Sequence, residues 1–136
     1  SPSINEIINI KNGSDFKKKD GSIIENCEIT NPAQKQLSYA YCSDTKYDTS
    51  LVPYIKNVTL LFHEATFDNS MQDIATEKYH STARDAATIA KKANVSGLLL
   101  GHFSARHKDY EVLKKEASEV FNPTIISCEG ENYIIQ

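Results

Sequence analysis

The sequence predicts an α/β protein with a largely parallel sheet in its second half. Three observations carry that expectation. Val58 to Phe62 and Ser96 to Gly101 are short, nearly continuous apolar runs, as strands buried on both faces require. Between them Ala83, Ala86, Ala87, Ala90 and Ala93 repeat at helical spacing, with Arg84, Asp85, Thr88, Lys91 and Lys92 on the other face. After them Tyr110, Leu113, Ala117, Val120 and Phe121 form a second helical stripe that Asn122-Pro123 stops. Strand, helix, strand, helix, strand is the order of an α/β domain.

From the start of the chain, Ile4 to Pro32 reads as a short helical or extended lead followed by a hairpin-like stretch. Asp20-Gly21 is a turn dipeptide, and Ile23 to Ile29 reads as a strand that Asn31-Pro32 breaks. This hairpin makes the expected sheet mixed. Tyr39 to Cys42 is the next apolar run, and Leu51, Val52 and Ile55 suggest a helix after it. Met71, Ile74, Ala75 and Lys78 have weak helical spacing. Thr82 with Asp85 three residues on resembles a capping box, which starts the alanine helix near residue 83. Thr124 to Ser127 and Tyr133 to Ile135 read as short terminal strands. We divide the chain into a lead and hairpin region, 1–37, and an α/β core, 38–136.

At 136 residues, 40% hydrophobic and 24% charged, the chain has the size and composition of one globular domain. No run approaches the roughly 20 apolar residues of a membrane helix, and no apolar leader opens the chain, so we expect no membrane partner. A net charge of −3 argues against a protein that coats nucleic acid non-specifically, although Lys17-Lys18-Lys19 is a local basic patch. Cys27, Cys42 and Cys128 are odd in number and widely spaced, which fits neither a disulfide framework nor a zinc knuckle and suits a reducing cytoplasm.

The chemistry sits where the strands end. Ser43-Asp44-Thr45, His63-Glu64-Ala65-Thr66 and His102-Phe103-Ser104-Ala105-Arg106 each follow directly on an apolar run. If the runs share one sheet, all three clusters lie at carboxyl ends, where α/β proteins bind ligands. Taken singly, each has a plainer reading. Asp44 can cap a helix, His63 and Glu64 can close a strand end, His80 can sit on the surface, and His102 can be a satisfied core imidazole. Arg106 can be a surface cation.

Taken together, three stretches closely resemble ribonuclease Z, the transfer-RNA 3′-processing endonuclease of the metallo-β-lactamase superfamily. They are His63-Glu64-Ala65-Thr66-Phe67, His80-Ser81-Thr82 with its alanine-rich helix, and Leu99 to Arg106. Tyr41-Cys42-Ser43-Asp44-Thr45 fits the family's Asp-Thr step, and the resemblance is strongest over residues 38–107.

The resemblance implies that Asp44 bridges two metal ions and that His102 holds one of them. It implies that Glu64 and His80 relay a proton to the leaving oxygen, and that Ser104 and Arg106 hold the substrate phosphate. His107 stands where the family usually has Tyr, and its role is open. The family's His-x-His-x-Asp-His motif does not precede Asp44, and the first histidine is His63.

The resemblance therefore implies the C-terminal half of a metallo-β-lactamase-type αβ/βα sandwich, with helices on one face of the sheet. The implied whole enzyme is a cytoplasmic hydrolase that cuts the 3′ trailer from precursor tRNA with two Zn2+ ions, or Mn2+. The 136-residue chain itself is expected to be inactive, to hold metal weakly if at all, and to pair as a homodimer through its uncovered sheet face. The alternatives are a phosphodiesterase of the same fold with a smaller substrate, and a non-catalytic association module.

Overall fold

The computed structural model describes residues 2–32 and 36–135, which fall into two units, Ser1–Gln36 and Leu37–Gln136. The first unit opens with helix α1 (Ile4–Lys11). Ser3 and Glu6 close a reciprocal capping box at its start, which satisfies two otherwise unpaired amides. Strands β1 (Phe16–Lys17) and β2 (Ile23–Ile24) pair antiparallel around the Asp20-Gly21 turn, where Gly21 adopts a φ of 87°.

The strand expected over Ile23 to Ile29 is only two residues long. From Asn26 the chain turns into a one-turn helix, α2 (Asn26–Ile29). The cause is tertiary. The Asn26 amide side chain donates to the carbonyls of Ile10 (2.7 Å) and Ser14 (2.9 Å), and its backbone N–H donates to Asp15 (2.8 Å). With β1 offering two residues to pair against, these bonds decide the local conformation. Neither helix of this unit has a buried residue.

The second unit is built on four strands in the order β3 (Tyr39–Cys42), β4 (Leu60–Glu64), β5 (Leu98–Gly101) and β6 (Thr124–Ile126). All three pairings are parallel, so antiparallel pairing is confined to the β1–β2 pair of the other unit. The expected mixture thus lies between two small sheets and not within one. Tyr133 to Ile135 form no strand. The Tyr133 hydroxyl accepts the Cys128 N–H at 2.7 Å, a contact that anchors the segment beside the end of β6 without ladder pairing.

Parallel strands need crossovers. A 3-10 turn (Thr49–Leu51) lies between β3 and β4, where a helix was suggested. Pro53 lacks the N–H that would continue it. Its cap is Asp48, not Asp44: the Asp48 carboxylate accepts the Ser50 N–H at 2.8 Å. Helices α3 (Gln72–Glu77) and α4 (Ala83–Ala93) link β4 to β5, and α5 (Glu111–Ser118) links β5 to β6.

Helix α4 begins and ends where its alanine pattern does. Thr82 and Asp85 form the expected capping box, and Asn94 closes the helix in the left-handed conformation. All five stripe alanines are fully buried, as is Ile89. With no side chain beyond Cβ, that stripe lets the helix lie close to the sheet, against Leu61, Leu98 and Leu100 and beside Leu113 and Ala117 of α5.

Alternation along the strands sends the other residues to the opposite face. The register aligns Tyr41, Phe62, Leu99 and Ile125 across all four strands. Tyr41 and Phe62 stack with centroids 4.6 Å apart. Gly101 admits the Phe62 ring: a Cβ there would stand 2.4 Å from it. No helix among the described residues is long and apolar enough to cross a membrane.

Candidate active site

The three polar clusters converge at the carboxyl ends of β3, β4 and β5. Asp44 and His102 both leave their strands through left-handed turns, at φ values of 51° and 56°. Their side chains meet there, with His102 Nε2 3.4 Å from Asp44 Oδ1. His80 arrives from a different direction, at the end of the α3 loop. A parallel bridge between Phe67 and Thr82 folds that loop back beside β4.

Glu64 organises the site. Its side chain is fully buried, and four donors converge on its carboxylate. The Thr45 N–H reaches Oε1 at 2.7 Å, and the Thr66 hydroxyl reaches Oε2 at 2.6 Å. The Ser81 N–H reaches Oε2 at 3.1 Å, and His80 Nδ1 lies 2.9 Å from Oε1. Burial pushes the Glu64 carboxyl up. The bonds from Thr66, His80, Ser81 and Thr45 outweigh that push and hold it below the usual carboxylate range. The Ser81 hydroxyl also donates to the Thr45 carbonyl at 2.7 Å, which ties the loop after β3 to the loop before α4.

These contacts select tautomers. A carboxylate can only accept, so in neutral His80 the proton sits on Nδ1 and Nε2 is a lone pair. The Thr66 hydroxyl spends its single proton on Glu64, its shortest contact. It can then only accept from His102 Nδ1, 3.0 Å away. His102 Nε2 is therefore a lone pair as well, on the side of Asp44. Imidazoles that ligate metals commonly use this arrangement, one nitrogen anchored and the other free.

Asp44, His80 and His102 each place one ligand-capable atom within 4.8 Å of the others, and the two imidazoles lie 5.3 Å apart. One carboxylate and two imidazoles suit a divalent cation such as zinc, which in catalytic sites takes three protein ligands. Three donors fit one ion. They do not fill the coordination of two.

The sequence-predicted residues thus divide clearly. Asp44, Glu64, His80 and His102 come together, and the Glu64–His80 contact is the one the sequence leads us to expect. His80 is also a member of the donor group, a position the reading of it as a relay residue did not anticipate. Ser104 and Arg106 lie on the turn after β5. The Ser104 N–H donates to the Thr66 carbonyl at 3.1 Å, while the exposed Arg106 side chain makes no ion pair among the described residues.

The contributions of Thr45, Thr66 and Ser81 to Glu64 were missed. Their only signal is that a small hydroxyl residue sits within two positions of each titratable one.

Two other histidines lie apart from the donors. His63 Nδ1 donates to the Glu64 carbonyl at 2.8 Å, and burial holds the ring neutral by pushing its pKa down. Among the described residues its Nε2 has no partner, and neither has Nε2 of His107, whose Nδ1 faces Asp68 at 3.9 Å.

No family model matches the chain. It is 50% identical to the ribonuclease Z of Parabacteroides distasonis over 121 residues, 89% of this chain and 40% of that protein. It is 43% identical to the ribonuclease Z of Cytophaga hutchinsonii over 134 residues, 98% of this chain and 43% of that protein. Among solved structures, it is similar to the metallo-beta-lactamase fold protein YhfI of Bacillus subtilis. That likeness has a TM-score of 0.58 and 31% identity, over 63% of this chain and 35% of that one. The chain spans about 40% of the length of the curated relatives it matches. The chain is thus similar in sequence to part of ribonuclease Z, and in fold it carries a parallel-sheet portion of a metallo-β-lactamase fold.

Proposed function

We propose that this chain carries the proton-relay and phosphate-holding side of a metal-dependent endoribonuclease that removes the 3′ trailer from precursor tRNA. The observation that supports it most is the buried Glu64, anchored by four donors and touching His80 beside the Asp44–His102 pair. A bound divalent cation, zinc by its fit to imidazole, would polarise the phosphodiester and offset its charge. Asp44 and His102 would hold it.

The chain's own residues do the remainder. Glu64 fixes the His80 ring through Nδ1 and leaves Nε2 facing outward, so that His80 can deliver a proton to the departing 3′ oxygen. Arg106, exposed and without an ion pair among the described residues, offers a planar fork to the phosphate oxygens, and Ser104 sits in the turn that presents it. With His80 serving the leaving oxygen, only Asp44 and His102 of the donor group are left to hold the ion, so the 136-residue chain alone is expected not to cleave.

The test is a chimaera in which this sequence replaces the matching stretch of the Parabacteroides distasonis ribonuclease Z. Chelator-sensitive cutting at the 3′ side of a precursor tRNA is the expected result. A chimaera that folds and hydrolyses only small phosphodiesters would favour the phosphodiesterase reading instead.

We also propose that the isolated chain pairs with a second copy through the sheet face opposite α4 and α5. Tyr41 is 65% and Ile125 41% exposed there, at the two ends of an apolar row whose inner members, Phe62 and Leu99, are half-buried and buried. Such rows are uncommon on free monomer surfaces, and two-fold pairing is the commonest way to cover one. Sedimentation at micromolar concentration should show a dimer that Tyr41→Lys dissociates; a monomer of the unmodified chain would contradict it.

A further inference from the structure

Beside the donor group lies a feature that the relay does not use. Tyr79, immediately before His80, is 67% exposed and held in a left-handed turn at φ 59°. Lys46, two residues after Asp44, places its ammonium 5.3 Å from the centre of the Tyr79 ring. Next to it Tyr47 carries a second cation, Lys92, at 5.8 Å from its ring.

The two loops that bear Lys46 and Tyr79 are the ones clamped by the Ser81–Thr45 bond, so the pair is fixed to the frame that positions His80. Neither Lys46 nor Lys92 makes an ion pair among the described residues. Alternating cations and aromatic rings, open to solvent, therefore run up to the reacting centre of a chain whose net charge is negative.

A cation–π contact at an exposed site is worth little to stability, about 0.5–1 kcal/mol. The same arrangement has a specific complement. A ring face stacks on an unpaired base, and a nearby ammonium meets the adjoining phosphate. A duplex hides its base faces, so the match is to a single strand. We propose that Tyr79 and Lys46 form a single-stranded RNA subsite, stacking one unpaired base and neutralising one phosphate next to the bond to be cut. The inference rests on the endoribonuclease reading and adds to it the residues that seat the strand. Tyr47 and Lys92 continue the track one nucleotide further on.

The experiment uses the whole 136-residue chain and a hexamer of adenylate RNA, followed by NMR of tyrosine-labelled protein. The Tyr79 ring resonances are expected to move upfield on addition of RNA and not on addition of inorganic phosphate. Affinity should fall roughly tenfold in Tyr79→Ala and stay within about twofold in Tyr79→Phe, as expected for loss and retention of one stacked base. Lys46→Gln should lower the salt slope of binding by about 0.7, the release expected for one phosphate on a single strand. Thermal melting of each variant separates this from a merely structural role, which would shift stability and leave RNA affinity unchanged.

Unaltered affinity in Tyr79→Ala, ring shifts produced by phosphate alone, or no binding of the hexamer would each overturn the proposal. The functional reading stands or falls separately. A chimaera that trims precursor tRNA while Tyr79 ignores RNA keeps the activity and removes the subsite. Stacking on Tyr79 in a chain whose chimaera does not cut does the reverse.

Discussion

Glu64→Ala is expected to destabilise the second unit by about 3–5 kcal/mol, because it removes the acceptor shared by four donors, two of them in buried and two in half-buried bonds. The Thr45 and Ser81 amides are backbone groups that cannot turn elsewhere, and the Thr66 hydroxyl and His80 ring would lose their anchor. Glu64→Gln keeps the shape and one carbonyl oxygen but sets an NH2 group against at least one of those donors, for a loss of about 1–3 kcal/mol. Urea unfolding of the three proteins at neutral pH measures both. A loss under about 1 kcal/mol for the alanine variant would mean that the network is looser than its distances imply.

Acid should reproduce part of this loss in two stages. His63 is held neutral by burial, so its folded pKa lies below the unfolded value of about 6.5. Its contribution is present above that pH and fades as pH falls below it. Glu64 is also depressed in the fold, so its contribution is intact above about 4.3 and is lost as pH falls through its folded value.

In the chimaera, His80→Ala is expected to slow cleavage of precursor tRNA by about 10²–10⁴-fold, the usual worth of a positioned general acid. The leaving group tells which of two roles His80 plays. If His80 delivers a proton to the 3′ oxygen, a diester with an activated phenolate leaving group should be nearly insensitive to its loss. Equal losses on both substrates would assign His80 to the metal instead, in company with Asp44 and His102.

Much of this architecture is legible in the amino-acid order. Helix α4 is marked at both ends, by the Thr82–Asp85 box and by the last stripe alanine, because local chemistry and burial agree there. The strands β3, β4 and β5 announce themselves as apolar runs, and the polar clusters that follow them identify the reactive end of the sheet before any geometry is known.

Other features depend on distant partners. Asn26 turns the expected continuation of β2 into helix α2 through carbonyls 12 and 16 residues away. The partners of Glu64 span 19 residues on one side and 17 on the other, and two of them are backbone amides that no side-chain pattern encodes. His80 escapes the strand-end rule because it comes from a loop after α3, so its place among the metal-capable donors follows from the fold alone.

The claim on which the rest depends is that Glu64 and Thr66 anchor His80 and His102 through Nδ1 and leave both Nε2 atoms free beside Asp44. Nitrogen-15 NMR of the imidazoles, recorded during titration with Zn2+, tests it directly. Nδ1–H tautomers are expected for both rings, with a zinc-dependent shift at His102 Nε2, none of that size at His80 Nε2, and weaker binding in Asp44→Asn, with His63 unmoved. Nε2–H tautomers at His80 and His102, or zinc shifts confined to His63 or His107, would contradict it.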